Sequence, residues 1–176
     1  MSAHITAPTQ QVSEWLSNFG NALDRADFDA AANLFQEEGY WRDLVSLTWN
    51  IKTLEGRENI KEMLKATIPE AKPSRWQVEG DATSDNGVIS GRLTFETAVS
   101  RGKGQIRLRD GKCWTCPWEG ELRNMWKPTR QSSLWFQGGN LHQSRHYSQF
   151  LQLQIKARME GISTPVYGLS EVHHLS

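Results

Sequence analysis

Between residues 12 and 23 the apolar side chains fall at steps of three and four: Val12, Trp15, Leu16, Phe19 and Leu23. That spacing predicts an amphipathic helix, with Pro8 and Thr9 upstream of it as start signals. Asp24-Arg25-Ala26-Asp27 interrupts the pattern, and Asp27 is suited to cap a second, shorter helix that carries Phe28, Ala31, Leu34 and Phe35 and ends near Gly39. The aromatic and β-branched stretch from Tyr40 to Asn50 predicts a strand. Ile60, Met63, Leu64 and Thr67 share one face of a third helix over residues 56–68, with Pro69 as its stop. Beyond it the period changes to two. Trp76 to Glu79, Val88 to Val99, Gln105 to Arg109 and Lys112 to Cys116 read as strands, separated by Asp85-Asn86-Gly87, Arg101-Gly102-Lys103-Gly104 and Asp110-Gly111 as turns.

Helices followed by an antiparallel meander predict an α+β fold, a curved sheet wrapping three N-terminal helices into an open cone. Residues 1–11 are expected to be a flexible N-terminus, 12–116 the folded domain, and 117–176 an irregular tail that is poorly packed or held only by Trp anchors. Within that tail Tyr147, Leu151, Ile155 and Met159 form a stripe that predicts a helix over about residues 144–160, capped by Gly161.

Composition narrows the function classes. Lys plus Arg and Asp plus Glu number 20 each in 176 residues, so no general electrostatic grip on nucleic acid or an anionic membrane is expected. No run approaches the roughly 20 apolar residues of a membrane span, and the first residues lack the pattern of a signal peptide, which makes the cytoplasm the expected compartment. Eight Trp against three Tyr and six Phe point to large apolar surfaces, either core or pocket.

In a regular strand Trp41, Asp43, Val45, Leu47 and Trp49 would share one face, leaving Asp43 as a carboxylate among apolar neighbours. Two roles are open to it: a general base, or a structural acceptor paired with Arg42, Arg92 or a backbone amide at a strand kink. Trp15, Phe19, Phe35, Trp41, Trp49 and Phe95 each lie on the apolar face of their own element and are expected to surround one pocket or core, with Asp43 at its wall. Arg92 and Glu96 read as a solvated pair on the far face of their strand.

Other motifs point to no chemistry. Cys113 and Cys116 have Cys-x-x-Cys spacing, but without the helix of a redox motif or two further zinc ligands they read as thiols at a strand end. His142 and His146 are four apart with no third ligand to complete a metal set. Gly102-Lys103-Gly104 lacks the third glycine and following helix of a dinucleotide fingerprint. No cofactor and no metal are expected.

The order Ala22-Leu23-Asp24-Arg25-Ala26-Asp27-Phe28-Asp29, Leu34-Phe35, Tyr40-Trp41-Arg42-Asp43 and Gly56-Arg57 resembles the opening of the nuclear-transport-factor-2-like superfamily. That superfamily contains ketosteroid isomerase, scytalone dehydratase, limonene epoxide hydrolase and polyketide cyclases of the SnoaL type. A narrower resemblance covers about residues 12–115. Tyr40 to Val45, Thr48 to Thr53, Glu55-Gly56-Arg57, Phe95-Glu96-Thr97-Ala98 and Gly111 to Thr115 are similar to the N-terminal region of flavin-containing monooxygenases. Ile162 to Tyr167 resembles the link into the flavin-binding body of such enzymes, but Gly168-Leu169-Ser170-Glu171 stands where a glycine-rich loop should follow. The resemblance implies a truncated relative active in secondary metabolism that lacks the FAD- and NADPH-binding body and does not oxygenate by itself. Its partners would be a small apolar molecule and a second copy through the sheet, or a partner domain. Against ketosteroid isomerase, Asp43 aligns with the general base, while Phe19 falls near the oxyanion-stabilising Tyr and cannot donate a hydrogen bond. The alternative the resemblance implies is therefore a stand-alone, cofactor-free isomerase, dehydratase, cyclase or hydrolase using Asp43.

Overall fold

The structure, a computed structural model, describes residues 7–114, 126–129, 134–137 and 141–168. The chain divides into two compact units: Met1–Trp41 with Leu54–Pro117, and Arg42–Thr53 with Trp118–Ser176. The expected strand end at Cys116 and the Trp118 anchor lie outside the described residues.

The first unit is α+β. Helix α1 spans Pro8–Asp24, with a proline in its first turn, and buries Val12, Trp15, Leu16, Phe19, Ala22 and Leu23. Helix α2, Phe28–Asn33, is capped as its sequence suggests: the Asp27 carboxylate accepts the Ala30 amide at 2.9 Å. Helix α3 runs Arg57–Ala71 and passes through Pro69, ending instead at Lys72 in a left-handed conformation. Pro69 is tolerated because it falls in the last turn, where one missing N–H costs a single hydrogen bond. Four strands form an antiparallel sheet in chain order: β3 Ser74–Asp85, β4 Val88–Glu96, β5 Arg101–Arg109 and β6 Lys112–Cys113. Register shifts between Ser74 and Gln77 and between Glu79 and Thr83 bend β3. Helix α1 packs on β3 and β4.

Both tight turns have positive φ at two successive residues, Asn86-Gly87 (48°, 77°) and Asp110-Gly111 (52°, 73°), as two-residue hairpin loops demand. The third turn is elsewhere than the sequence suggests. Arg101 to Gly104 is strand, and the reversal lies at 97–100, leaving Val99 52% exposed. Register explains the two glycines: Gly102 faces Phe95 and Gly104 faces Leu93. A Cβ on Gly102 would lie 2.2 Å from Phe95 Cζ, so glycine here makes room for a ring across the strand.

A hairpin of β1, Tyr40–Leu44, and β2, Ile51–Glu55, links α2 to α3, and its tip belongs to the second unit. The strand expected over 40–50 therefore ends at Leu44. Val45 and Trp49 have φ of 71° and 50°, which no extended strand accommodates. In the second unit, helix α4 spans Leu141–Met159 and buries Leu151, Gln154 and Ala157. Val45, Ile51 and Trp126 form its core, with Leu44, Trp49, Tyr147 and Phe150 against them. Trp126 stacks on Tyr147 at 4.7 Å. Among the described residues, no helix is long and apolar enough to cross a membrane.

Candidate functional site

The first unit gathers aromatic side chains from four elements and from the segment that follows α2. Trp15 and Phe19, one turn apart on α1, stack with centroids 5.0 Å apart. Phe35, two residues past α2, meets them at near right angles, 5.4 and 5.9 Å away. Trp41 on β1 tilts against Phe19 at 6.1 Å and Phe35 at 6.0 Å. Trp76 on β3 meets Phe19 edge-on at 5.4 Å and stacks on Phe95 of β4 at 4.6 Å. Two glycines admit these rings: Gly102 beneath Phe95, and Gly20, whose Cβ would approach Trp76 Cδ1 to 3.1 Å.

The three indole N–H groups of this cluster differ. Trp15 Nε1 donates to the Leu34 carbonyl at 3.0 Å. Trp41 Nε1 and Trp76 Nε1 are buried and have no hydrogen-bond partner among the described residues. Buried donors are normally met, which makes these two the chemically open groups of the cluster.

Asp43 and Trp49 belong to the second unit. Trp49 packs against the Val45, Ile51 and Trp126 core. Asp43 is 2% exposed, and its carboxylate accepts from the Leu47 amide (3.2 and 3.1 Å), the Thr48 amide (3.0 Å) and the Thr48 hydroxyl (2.7 Å). Each donor stabilises the charged carboxylate, and together they close the turn between Leu44 and Ile51. Of the two roles open to Asp43 in the sequence, these are the partners of the structural one.

Arg92 and Glu96 pair across strands instead of with each other. Glu79 holds Arg92 at 3.8 Å and Lys103 at 2.6 Å, while Glu96 holds Arg75 at 3.2 Å and Arg101 at 3.4 Å. Lys103, first by its hydrogen bond and then by its charge, lowers the Glu79 carboxyl below its usual range. An open, polar cleft of about 250 Å³ lies on the same sheet between Asp81, Ser90, Arg92, Gln105 and Arg107. Cys113 is a free thiol at the end of β6, and burial pushes its pKa up from 9.0 to about 12, against the opposing effect of a backbone hydrogen bond from Arg107. A thiol so buried is a poor nucleophile. His142 and His146 are exposed on α4.

Sequence reasoning missed Trp76, Thr48 and Asn50. Trp76 was readable as a strand residue, but only Gly20, which faces it from α1, marks it as a ring in the cluster. Nothing local distinguishes Thr48 or Asn50.

No protein-family model matches the chain. No curated protein matches it either. Solved structures do. An LEH-like epoxide hydrolase from M. tuberculosis is 14% identical, over 60% of this chain and 78% of that one, with a TM-score of 0.41. An NTF2-like protein of unknown function from Cytophaga hutchinsonii is 15% identical over 64% and 88%, with a TM-score of 0.40. Aln2 from a Streptomyces species is 18% identical over 59% and 82%, with a TM-score of 0.42. Likeness at this level assigns no chemistry to the chain.

Proposed function

We propose that the first unit binds a small, largely apolar molecule bearing an oxygen acceptor, as a nuclear-transport-factor-2-like protein of small-molecule metabolism. The observation that carries this reading is the pair of buried indole N–H groups of Trp41 and Trp76, which have no hydrogen-bond partner among the described residues and sit on rings packed against Phe19. An unmet buried donor costs about 1–3 kcal/mol, which a carbonyl, ether or phenolate oxygen would recover on binding. The pocket residues of this reading are Trp15, Phe19, Phe35, Trp41 and Phe95, with Trp76 added. By descent the chain is a relative of the N-terminal region of flavin-containing monooxygenases; its words at 40–57 and 95–115 support that ancestry. The reading includes pairing of two copies through the four-stranded sheet, which sedimentation velocity tests; a monomer at every concentration would remove it.

The binding test uses a matched pair of probes, 1-tetralone and tetralin, followed by tryptophan fluorescence and calorimetry. The ketone should bind at least tenfold more tightly, and the double variant Trp41→Phe, Trp76→Phe should erase the difference while keeping an aromatic ring at each position. Equal affinities, or no binding of the ketone, would refute the reading.

A second reading keeps Asp43 as the general base of a cofactor-free isomerase, dehydratase, cyclase or hydrolase. Its favouring observation is the burial of the carboxylate, which is common for catalytic acids and bases. Turnover abolished by Asp43→Asn in a protein that still binds its ligand would support it; turnover retained would exclude it.

A further inference from the structure

The bracket around Asp43 is continued by a segment far along the chain. Tyr167 donates its amide to the Thr48 carbonyl at 2.9 Å. Asn50 Nδ2 reaches back to the carbonyls of Tyr167 (3.2 Å) and Gly168 (3.3 Å), and Lys52 Nζ lies 3.4 Å from the Gly168 carbonyl. Thr48 is fully buried and Asn50 is 2% exposed, and the contacts they and Lys52 make with the Tyr167-Gly168 segment are partly buried. Gly168 has φ of 67°, and a Cβ there would come within 2.9 Å of Lys52 Cε. The Lys52 side-chain end can swing aside, so it is the positive φ of Gly168 that favours glycine here.

The turn this segment covers is strained. Val45, a β-branched residue, has φ of 71°, and Trp49 follows at 50°, conformations that cost free energy and persist only when surrounding contacts over-determine them. Those contacts come from two sides. Inside, Asp43 gathers the amides of Leu47 and Thr48; outside, Tyr167 and Gly168 are held on Thr48, Asn50 and Lys52. Thr48 is common to both sets, its amide and hydroxyl engaged with Asp43 and its carbonyl with Tyr167.

We infer that Tyr167-Gly168 is a latch that holds the 45–50 turn in its strained form, and that its release uncovers the Asp43 carboxylate. Asn50 is the positioning residue of the latch, since its side chain holds two carbonyls of the segment. With the latch closed, Asp43 serves as the acceptor that shapes the turn. With it open, the turn relaxes toward negative φ, the amides of Leu47 and Thr48 leave the carboxylate, and a buried anion becomes reachable by solvent and by reagents. This device is independent of the binding reading for the first unit, because every group in it belongs to the second.

Two variants of the full chain test it. Gly168→Val disfavours the required φ and crowds Lys52 without touching the turn; Asn50→Ala removes the side-chain half of the latch and leaves the segment intact. Amide hydrogen exchange and carbodiimide labelling of carboxyl groups, read by mass spectrometry, are compared with the parent protein. In both variants Tyr167, Leu47 and Thr48 should exchange at least tenfold faster together, and Asp43 should become labelled, while Leu151 in α4 stays protected. Faster exchange of Tyr167 alone, with Leu47 and Thr48 protected and Asp43 unlabelled, would overturn the latch. So would variants in which none of the three amides changes.

Discussion

The aromatic cluster of the first unit and the turn at residues 43–50 of the second are held by different physics. In the cluster, stabilisation comes from ring area removed from water, spread over Trp15, Phe19, Phe35, Trp76 and Phe95, with glycines cut away where two rings need space. In the turn, one carboxylate organises the backbone through directional bonds, and positive φ at Val45 and Trp49 opposes it. Area is distributed and tolerant of a lost hydrogen bond. A polar bracket is concentrated, and removal of one group exposes every donor that it served.

The largest effect should come from cutting the cluster at its hub. Phe19→Ala removes a side chain 1% exposed that touches Trp15, Phe35, Trp41 and Trp76, and should lower stability by about 4 kcal/mol in denaturant titrations. A change below about 1 kcal/mol would mean the rings are not one packed core. Next comes the bracket: Asp43→Ala strands two amides, the Thr48 hydroxyl keeping the Asn50 carbonyl as acceptor, and should cost about 3 kcal/mol, with Asp43→Asn, which keeps one acceptor oxygen, recovering part of it. Equal costs for the two substitutions would contradict the assignment of directional acceptance to Asp43.

Gly102→Ala probes the relief cut into the cluster. Its methyl would collide with Phe95 and should destabilise by about 2 kcal/mol, and Phe95→Leu should suppress much of that penalty in a double-mutant cycle. Cys113 gives a pH test. Its folded pKa, about 12, lies above the unfolded value of 9.0, so the folded state keeps its proton where the unfolded state loses it. Stability should therefore be unaffected by this group below pH 9 and fall by about 1.4 kcal/mol per pH unit above it, a slope that Cys113→Ala removes. Smallest of all, Leu141→Ser should shift stability by less than about 0.5 kcal/mol, since that side chain is 92% exposed.

What the sequence disclosed follows the same division. Helices α1 and α2 and the turns at Asn86-Gly87 and Asp110-Gly111 were legible because their signals are local: spacing, a cap, a pair of residues suited to positive φ. Gly102 and Gly104 were misread as a turn because a glycine reports the absence of a side chain, and what fills that absence is Phe95 or Leu93 on another strand. The strand expected through Asn50 failed because alternation assumes an unbroken backbone. The residue that breaks it is Asp43, whose partners four and five positions on cannot be recognised without the turn itself. Trp15 and Phe19 could be read as neighbours because they lie one turn apart on one periodic element, α1. Trp76 was passed over because its neighbours come from α1 and β4.

The distance along the chain between Asn50 and the segment it holds bears on synthesis. These groups are 117 and 118 residues apart in sequence, so the turn that organises itself around Asp43 cannot gain its outer support until synthesis has passed Gly168. At about 5–20 residues per second the interval is roughly 6–24 s, long compared with the microseconds in which a hairpin forms. During that interval the 45–50 turn is without its latch, so it stays relaxed and the Asp43 carboxylate stays reachable. A codon change that slows translation past residue 53 would lengthen that exposure, and chaperone dependence would be expected to rise with it.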